Sequence, residues 1–132
     1  LIGSAVGPSP YPEMVKYFQK IIGEEAKNQM LEQENKLPKA IVACIGGGSN
    51  SIGLFTDFIK EKVDIYGVEG AGFGLDTGKH ASAINNNYVG IMHGMKTYIK
   101  KKEKGNIKRI TKYGLSSNNI KIYLPTTNSK TK

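Results

Sequence analysis

At 132 residues, 39% hydrophobic and 23% charged, the chain has the size and composition of one ordinary globular domain. The only cysteine, Cys44, excludes an internal disulfide and a cysteine-based zinc site, and no apolar run approaches the roughly 18 residues of a membrane span. The net charge of +8 is uneven: residues 1–99 carry nine basic and ten acidic side chains, residues 100–132 ten and one, so the basic character belongs to the tail. A basic tail can neutralise nucleic-acid phosphates. No clustered aromatics or Gly-Arg repeats accompany the charges, so the expectation is a solvated end and no nucleic-acid partner. Leu1-Ile2-Gly3-Ser4 has neither an initiator Met nor a basic-then-apolar leader. A processed, trimmed or incomplete chain is expected, in the cytoplasm.

In chain order, Leu1 to Pro10 reads as a loop punctuated by Gly3, Gly7, Pro8 and Pro10. One helix is predicted from Pro12 to about Asn35. Pro12 and Glu13 suit its first turn, and Met14, Phe18, Ile21, Ile22, Met30 and Leu31 recur at helical spacing, with Gly23 as a weak point. Ala40 to Ile45 is a short β-branched apolar run, expected as a parallel strand buried on both faces, with Cys44 an inert part of its core. A helix beginning at Asn50, with Ile52, Phe55, Phe58 and Ile59 on one face, and a strand from Asp64 to Glu69 complete a right-handed βαβ unit. Residues 70–83 are a glycine-rich loop. Tyr88 to Met92 suggests a short strand, and Met95 to Lys101 with Ile107 to Ile110 a hairpin around Glu103-Lys104-Gly105-Asn106. The predicted class is α/β, with a parallel βαβ core, a preceding helix and a following β-hairpin. The division is 1–110 for the domain and 111–132 for a divergent, basic, polar tail.

The segment richest in chemistry is Ile45-Gly46-Gly47-Gly48-Ser49-Asn50, where a buried strand delivers the chain to a sheet edge. Three glycines allow a tight turn with positive φ, and without Cβ atoms their N–H groups can approach an anion closely. A helix starting just after them aims its free N–H groups at the same spot, and Ser49 and Asn50 add a hydroxyl and an amide. A phosphate cradle fits this pattern. It is not a P-loop, because the Gly-Lys-Ser/Thr ending is missing. A dinucleotide fingerprint remains open: Gly46 and Gly48 match its first two glycines, Ser51 stands at the third, and Glu69 ends the next strand where such proteins bind a ribose. A glycine-rich turn that binds nothing is the third reading.

Several motifs in one order resemble the tryptophan synthase β subunit, a fold-type II pyridoxal-phosphate enzyme family. They are Gly7-Pro8-Ser9-Pro10-Tyr11-Pro12 before a helix, Cys44 to Gly53, Gly67-Val68-Glu69, Leu75-Asp76-Thr77-Gly78-Lys79-His80, and Val89 to Tyr98. The resemblance covers about residues 1–110. It implies a lyase of tryptophan biosynthesis that makes tryptophan from serine and indole, with the cofactor supplying the electron sink. By resemblance, Gly46, Gly47, Gly48, Ser49 and Asn50 hold the cofactor phosphate and Ser4 lies near its ring. Backbone carbonyls of Ile45, Gly46 and Ala81 fall where the family places part of a monovalent-cation site. The implied partners are a second β subunit and the tryptophan synthase α subunit, with homo-oligomerisation an option.

The departures are as informative. The family's Schiff-base lysine and general-acid/base glutamate lie upstream of the resembling stretch, and the serine bonding the pyridine nitrogen lies downstream. No catalytic residue is therefore assigned, and the chain is expected to be inactive alone. Ser9 replaces a usual His, Gly70 a usual Pro, and Ala81 a frequent Gly. After Arg109 the family pattern gives way to Thr111-Lys112-Tyr113-Gly114-Leu115, as a frameshifted or truncated gene would produce. Lys79 stands where the family has Glu, so it inherits no Schiff-base role. His80 and His93 are single histidines with no ligand cluster around them.

Overall fold

The computed structural model describes residues 4–84, 88–92, 95–98, 100–101, 107–108 and 120–123. The first apolar stretch forms two helices, α1 (Tyr11–Gln19) and α2 (Ile21–Glu34). The backbone stays helical at Lys20, but the hydrogen-bond ladder resets there: the N–H groups of Gly23 and Glu24 both reach the Lys20 carbonyl, at 3.0 and 3.1 Å. The predicted single helix is therefore divided, and Gly23 is its contact point rather than its weak point. A Cβ on Gly23 would come within 2.8 Å of the carbonyl oxygens of Gly53 and Leu54, so only glycine lets α2 lie this close to the next helix. The predicted stop near Asn35 holds. Asn35 adopts a left-handed conformation (φ 51°), which Asn tolerates, and its N–H closes on the Leu31 carbonyl.

Strand β1 (Ala40–Cys44), helix α3 (Ser49–Phe55) and strand β2 (Asp64–Val68) form the βαβ unit. β1 and β2 pair in parallel, with Ala40 opposite Asp64 and Cys44 opposite Val68. A third strand, β7 (Ile120–Tyr123), pairs in parallel on the other side of β2, giving the order β1-β2-β7. The stretch read as a polar tail thus contributes a sheet strand. Between these lie β3 (Val89–Met92) and β4 (Met95–Tyr98), paired antiparallel, then β5 (Lys100–Lys101) and β6 (Ile107–Lys108), also antiparallel. The expected hairpin is present but short, and Met95–Tyr98 pairs backward with Val89–Met92 instead of joining it.

The core lies on one face of the sheet, where Ile41, Ala43 and Ile65 meet Phe55, Phe58 and Val63, with Ala26, Leu37, Leu54 and Ile59 around them. Phe55 and Phe58 are fully buried, and removing each from water stabilises the fold by about 1.5–3 kcal/mol. β1 alternates instead of being buried on both faces: Ile41 and Ala43 point inward, while Ala40, Val42 and Cys44 are exposed. The helices cover only one side of that strand, so Cys44 is an exposed thiol and not core. The apolar positions of α1 and the start of α2 are likewise uncovered, with Tyr17 and Phe18 stacked edge to face at 5.3 Å.

A charged cluster ties α2 to the turns after α3. Lys20 pairs with Glu24 and Lys27 with Glu61, each pair partly exposed and worth little alone. Asp57 sits beside them with Oδ2 buried and, among the described residues, without a hydrogen-bond donor. Burial and then the Glu24 carboxylate push its pKa above the usual carboxylate value, against the pull of Lys20 and Lys27.

Candidate functional site

Strand β1 carries the chain to the glycine loop because its pairing with β2 continues one residue further: the Ile45 N–H reaches the Val68 carbonyl at 2.7 Å. The chain then turns through Gly46, Gly47 and Gly48 into α3. Gly48 has φ 84° and ψ −7°, a left-handed conformation that favours glycine. A Cβ on Gly47 would collide with the Ser4 hydroxyl. Ser4 Oγ and the Ala5 N–H both donate to the Gly47 carbonyl at 3.0 Å, and Ser4 Oγ accepts the Val6 N–H at 3.1 Å. The two segments named by the sequence, Ser4 and the glycines, are thus joined across 43 positions of chain. Gly46 is exposed, with no heavy atom within 4 Å of where its Cβ would stand.

Among the described residues, the N–H groups of Gly47, Gly48, Ser49, Asn50 and Ser51 have no protein acceptor. Five neighbouring donors in one turn can hold an anion with several acceptor oxygens. α3 has only 7 residues, so its dipole adds little and the donors themselves carry the site. The predicted helix start at Asn50 falls one residue late. Asn50 is exposed and donates through Nδ2 to Cys44 Sγ at 3.3 Å, so its amide spans the mouth of the turn. Ser51, the third position of the dinucleotide pattern, is buried, and its hydroxyl donates back to the Gly48 carbonyl at 3.1 Å. Its part in holding the turn was not evident from spacing.

Glu69 follows β2 at the same edge of the sheet and is buried. Its Oε2 accepts the Ser82 hydroxyl at 2.7 Å, and Oε1 accepts the N–H groups of Ala83 and Ile84 at 3.0 and 3.1 Å. A ribose would have to compete with three internal donors, so the geometry removes the support Glu69 lent to a dinucleotide. The Ala81 N–H donates to the Gly70 carbonyl at 2.7 Å, which brings Ala81 to the strand end adjoining Ile45 and Gly46. Lys79 is exposed, and its carbonyl accepts the Phe73 N–H. His93 and Arg109 lie outside the described residues. Among the described residues, no three His, Cys, Asp or Glu side chains gather as a metal site, and no helix is long and apolar enough to cross a membrane.

A tryptophan synthase beta chain from Shouchella clausii is 56% identical over 108 residues, 82% of this chain. Over that stretch the chain belongs to the tryptophan synthase β-chain family. The β chain of Staphylococcus saprophyticus agrees, at 55% identity over 107 residues, 81% of this chain. The matched stretches are 27% and 26% of the lengths of these two β chains, so this chain spans about a quarter of the relatives it matches. No protein-family model matches the chain.

Proposed function

We propose that residues 1–110 form the phosphate-holding portion of a pyridoxal-phosphate-dependent β chain of tryptophan synthase, with 111–132 as a divergent extension. The observation that carries this reading is the row of five N–H donors from Gly47 to Ser51, beside a Gly47 whose missing Cβ makes room for Ser4. The backbone donors of the turn, with the side chains of Ser49 and Asn50, would bind the cofactor phosphate, and Ser4 would sit beside the turn on the ring side. When bound, the cofactor supplies the electron sink for replacing the serine hydroxyl with indole. The residues described here bind and orient it. None of them is assigned a proton transfer. A monovalent cation held by the carbonyls of Ile45, Gly46 and Ala81 would brace the same sheet edge. The exposed apolar ridge of α1 and α2 suits the subunit contacts of a β chain, with a second β chain or the α chain as partner, in the cytoplasm.

Equilibrium dialysis of the chain against pyridoxal phosphate tests the proposal, with Gly48→Asp as the comparison and borohydride treatment of both. The expected result is saturable binding by the parent chain, none by Gly48→Asp, and no label fixed by borohydride at a single lysine. Equal binding by both forms, or by neither, contradicts it.

A further inference from the structure

We propose that Glu69 is a positioning residue for the cradle: it pins the 70–84 loop to the carboxyl edge of β2 and so sets the wall beside Gly46. The inference rests on the phosphate-cradle reading and adds to it a residue that does not touch the ligand. Glu69 is 1% exposed, and a carboxylate is costly to bury unless donors surround it. Here three donors converge on it, all from Ser82, Ala83 and Ile84, which follow a 12-residue excursion of the chain. Ser82 and Ala83 are themselves buried, as is Ala71 at the start of the loop. The bond from the Ala81 N–H to the Gly70 carbonyl closes the same foot from the other side. Both ends of the loop are thus tied to one strand terminus.

That terminus adjoins the cradle. Cys44 lies opposite Val68, and the Ile45 N–H still bonds the Val68 carbonyl, so the chain leaves β1 into Gly46 across from Glu69 and Gly70. Adjacent strands lie about 5 Å apart, so a shift of the loop foot is felt within one strand spacing of the phosphate donors. The hydrogen-bonding pattern needs a side chain of this length with an acceptor on one branch for the two N–H groups and a polar group on the other for the Ser82 hydroxyl. Gln can keep one oxygen for the Ala83 and Ile84 N–H groups and turn its NH2 toward the Ser82 hydroxyl, which can accept. Ala supplies neither.

The test measures pyridoxal phosphate affinity of the full chain by equilibrium dialysis for the parent, Glu69→Ala, Glu69→Gln, Ser82→Ala and the cradle variant Gly48→Asp. Circular dichroism checks folding, and amide hydrogen exchange is followed at Ala83 and Ile84. Glu69→Ala is expected to weaken binding by about tenfold or more, a typical result of small misplacement near a binding group. Glu69→Gln should stay within about threefold of the parent, with Ser82→Ala between the two. Exchange at Ala83 and Ile84 should accelerate in Glu69→Ala and not in Glu69→Gln. A folded Glu69→Ala that binds like the parent, while Gly48→Asp does not bind, overturns the inference and leaves the cradle reading standing. Equal damage from Gln and Ala assigns the effect to charge and also overturns it. If Glu69→Ala does not fold, Ser82→Ala decides, and parental affinity there overturns the inference. No binding by the parent chain fails the cradle reading itself, and the inference falls with it.

Discussion

Two glycine-rich loops leave neighbouring strands at the same edge of one sheet, and they use their backbone in opposite ways. Residues 46–51 turn from β1 into α3, and among the described residues the N–H groups from Gly47 to Ser51 take no protein acceptor. Residues 70–84 fold back on themselves: Phe73 N–H reaches Lys79, Gly74 N–H reaches Ala71, Ala81 N–H reaches Gly70, and Glu69 collects the three donors that follow. Glycine content alone does not distinguish a ligand loop from a structural one. The destination of the hydrogen bonds does, because a buried or ordered N–H without a partner is a group the fold leaves for something else.

Substitutions at glycine should separate the two loops, and the largest effect is at Gly48. Placing a carboxylate there, in Gly48→Asp, should reduce pyridoxal phosphate affinity about a hundredfold or more by like-charge repulsion, read by isothermal titration calorimetry. In the second loop, Gly72 has φ 54° and a Cβ there would run into the Lys79 carbonyl. Gly72→Ala should therefore cost about 2 kcal/mol or more in urea unfolding. Gly78 also has a positive φ (64°) but open space, so Gly78→Ala should cost only about 1 kcal/mol. Gly46→Ala meets nothing within 4 Å and should change stability by less than about 0.5 kcal/mol while lowering ligand affinity. A large stability loss at Gly46, or none at Gly72, breaks the contrast.

The same contrast appears in two carboxylates. Glu69 receives three donors, whereas Asp57 keeps a buried oxygen without one among the described residues. The pKa of Asp57 in the folded chain lies above its ordinary value of 3.8, so the folded state holds this proton more tightly than the unfolded chain. The stability this contributes is fully present below that ordinary value and is lost as pH rises through the raised one. Asp57→Asn should consequently raise the melting temperature modestly at neutral pH and leave it unchanged at strongly acid pH. A destabilised variant at neutral pH would show that Lys20 and Lys27 outweigh the burial.

The elements around the first glycine turn are legible because local chemistry decides them. The apolar run Ala40 to Ile45 ended in three glycines, and Asn35 stopped a helix it could terminate in a left-handed conformation. Features that depend on distant chain were not legible. The spacing of Phe18, Ile21 and Ile22 runs straight through Lys20, so the division of the first helix and the role of Gly23 emerge only from the contact with Gly53 and Leu54. A strand with apolar residues at every position does not reveal which face its helices cover, so the sequence alone does not show that Cys44 is exposed. The alternation Ile120-Lys121-Ile122-Tyr123 was lost within a polar, lysine-rich composition, although it supplies β7. Ser4 is linked to the glycine turn in the sequence only by resemblance, because its bond to Gly47 crosses 43 residues.

The most direct test of the central contrast is a titration of the isotopically labelled chain with pyridoxal phosphate, following backbone amide signals by NMR. The account predicts large, saturable shifts at Gly47, Gly48, Ser49, Asn50 and Ser51, with little change from Gly72 to Lys79. Shifts centred on Gly72 to Lys79, or no saturable shift anywhere in the turn, would contradict it.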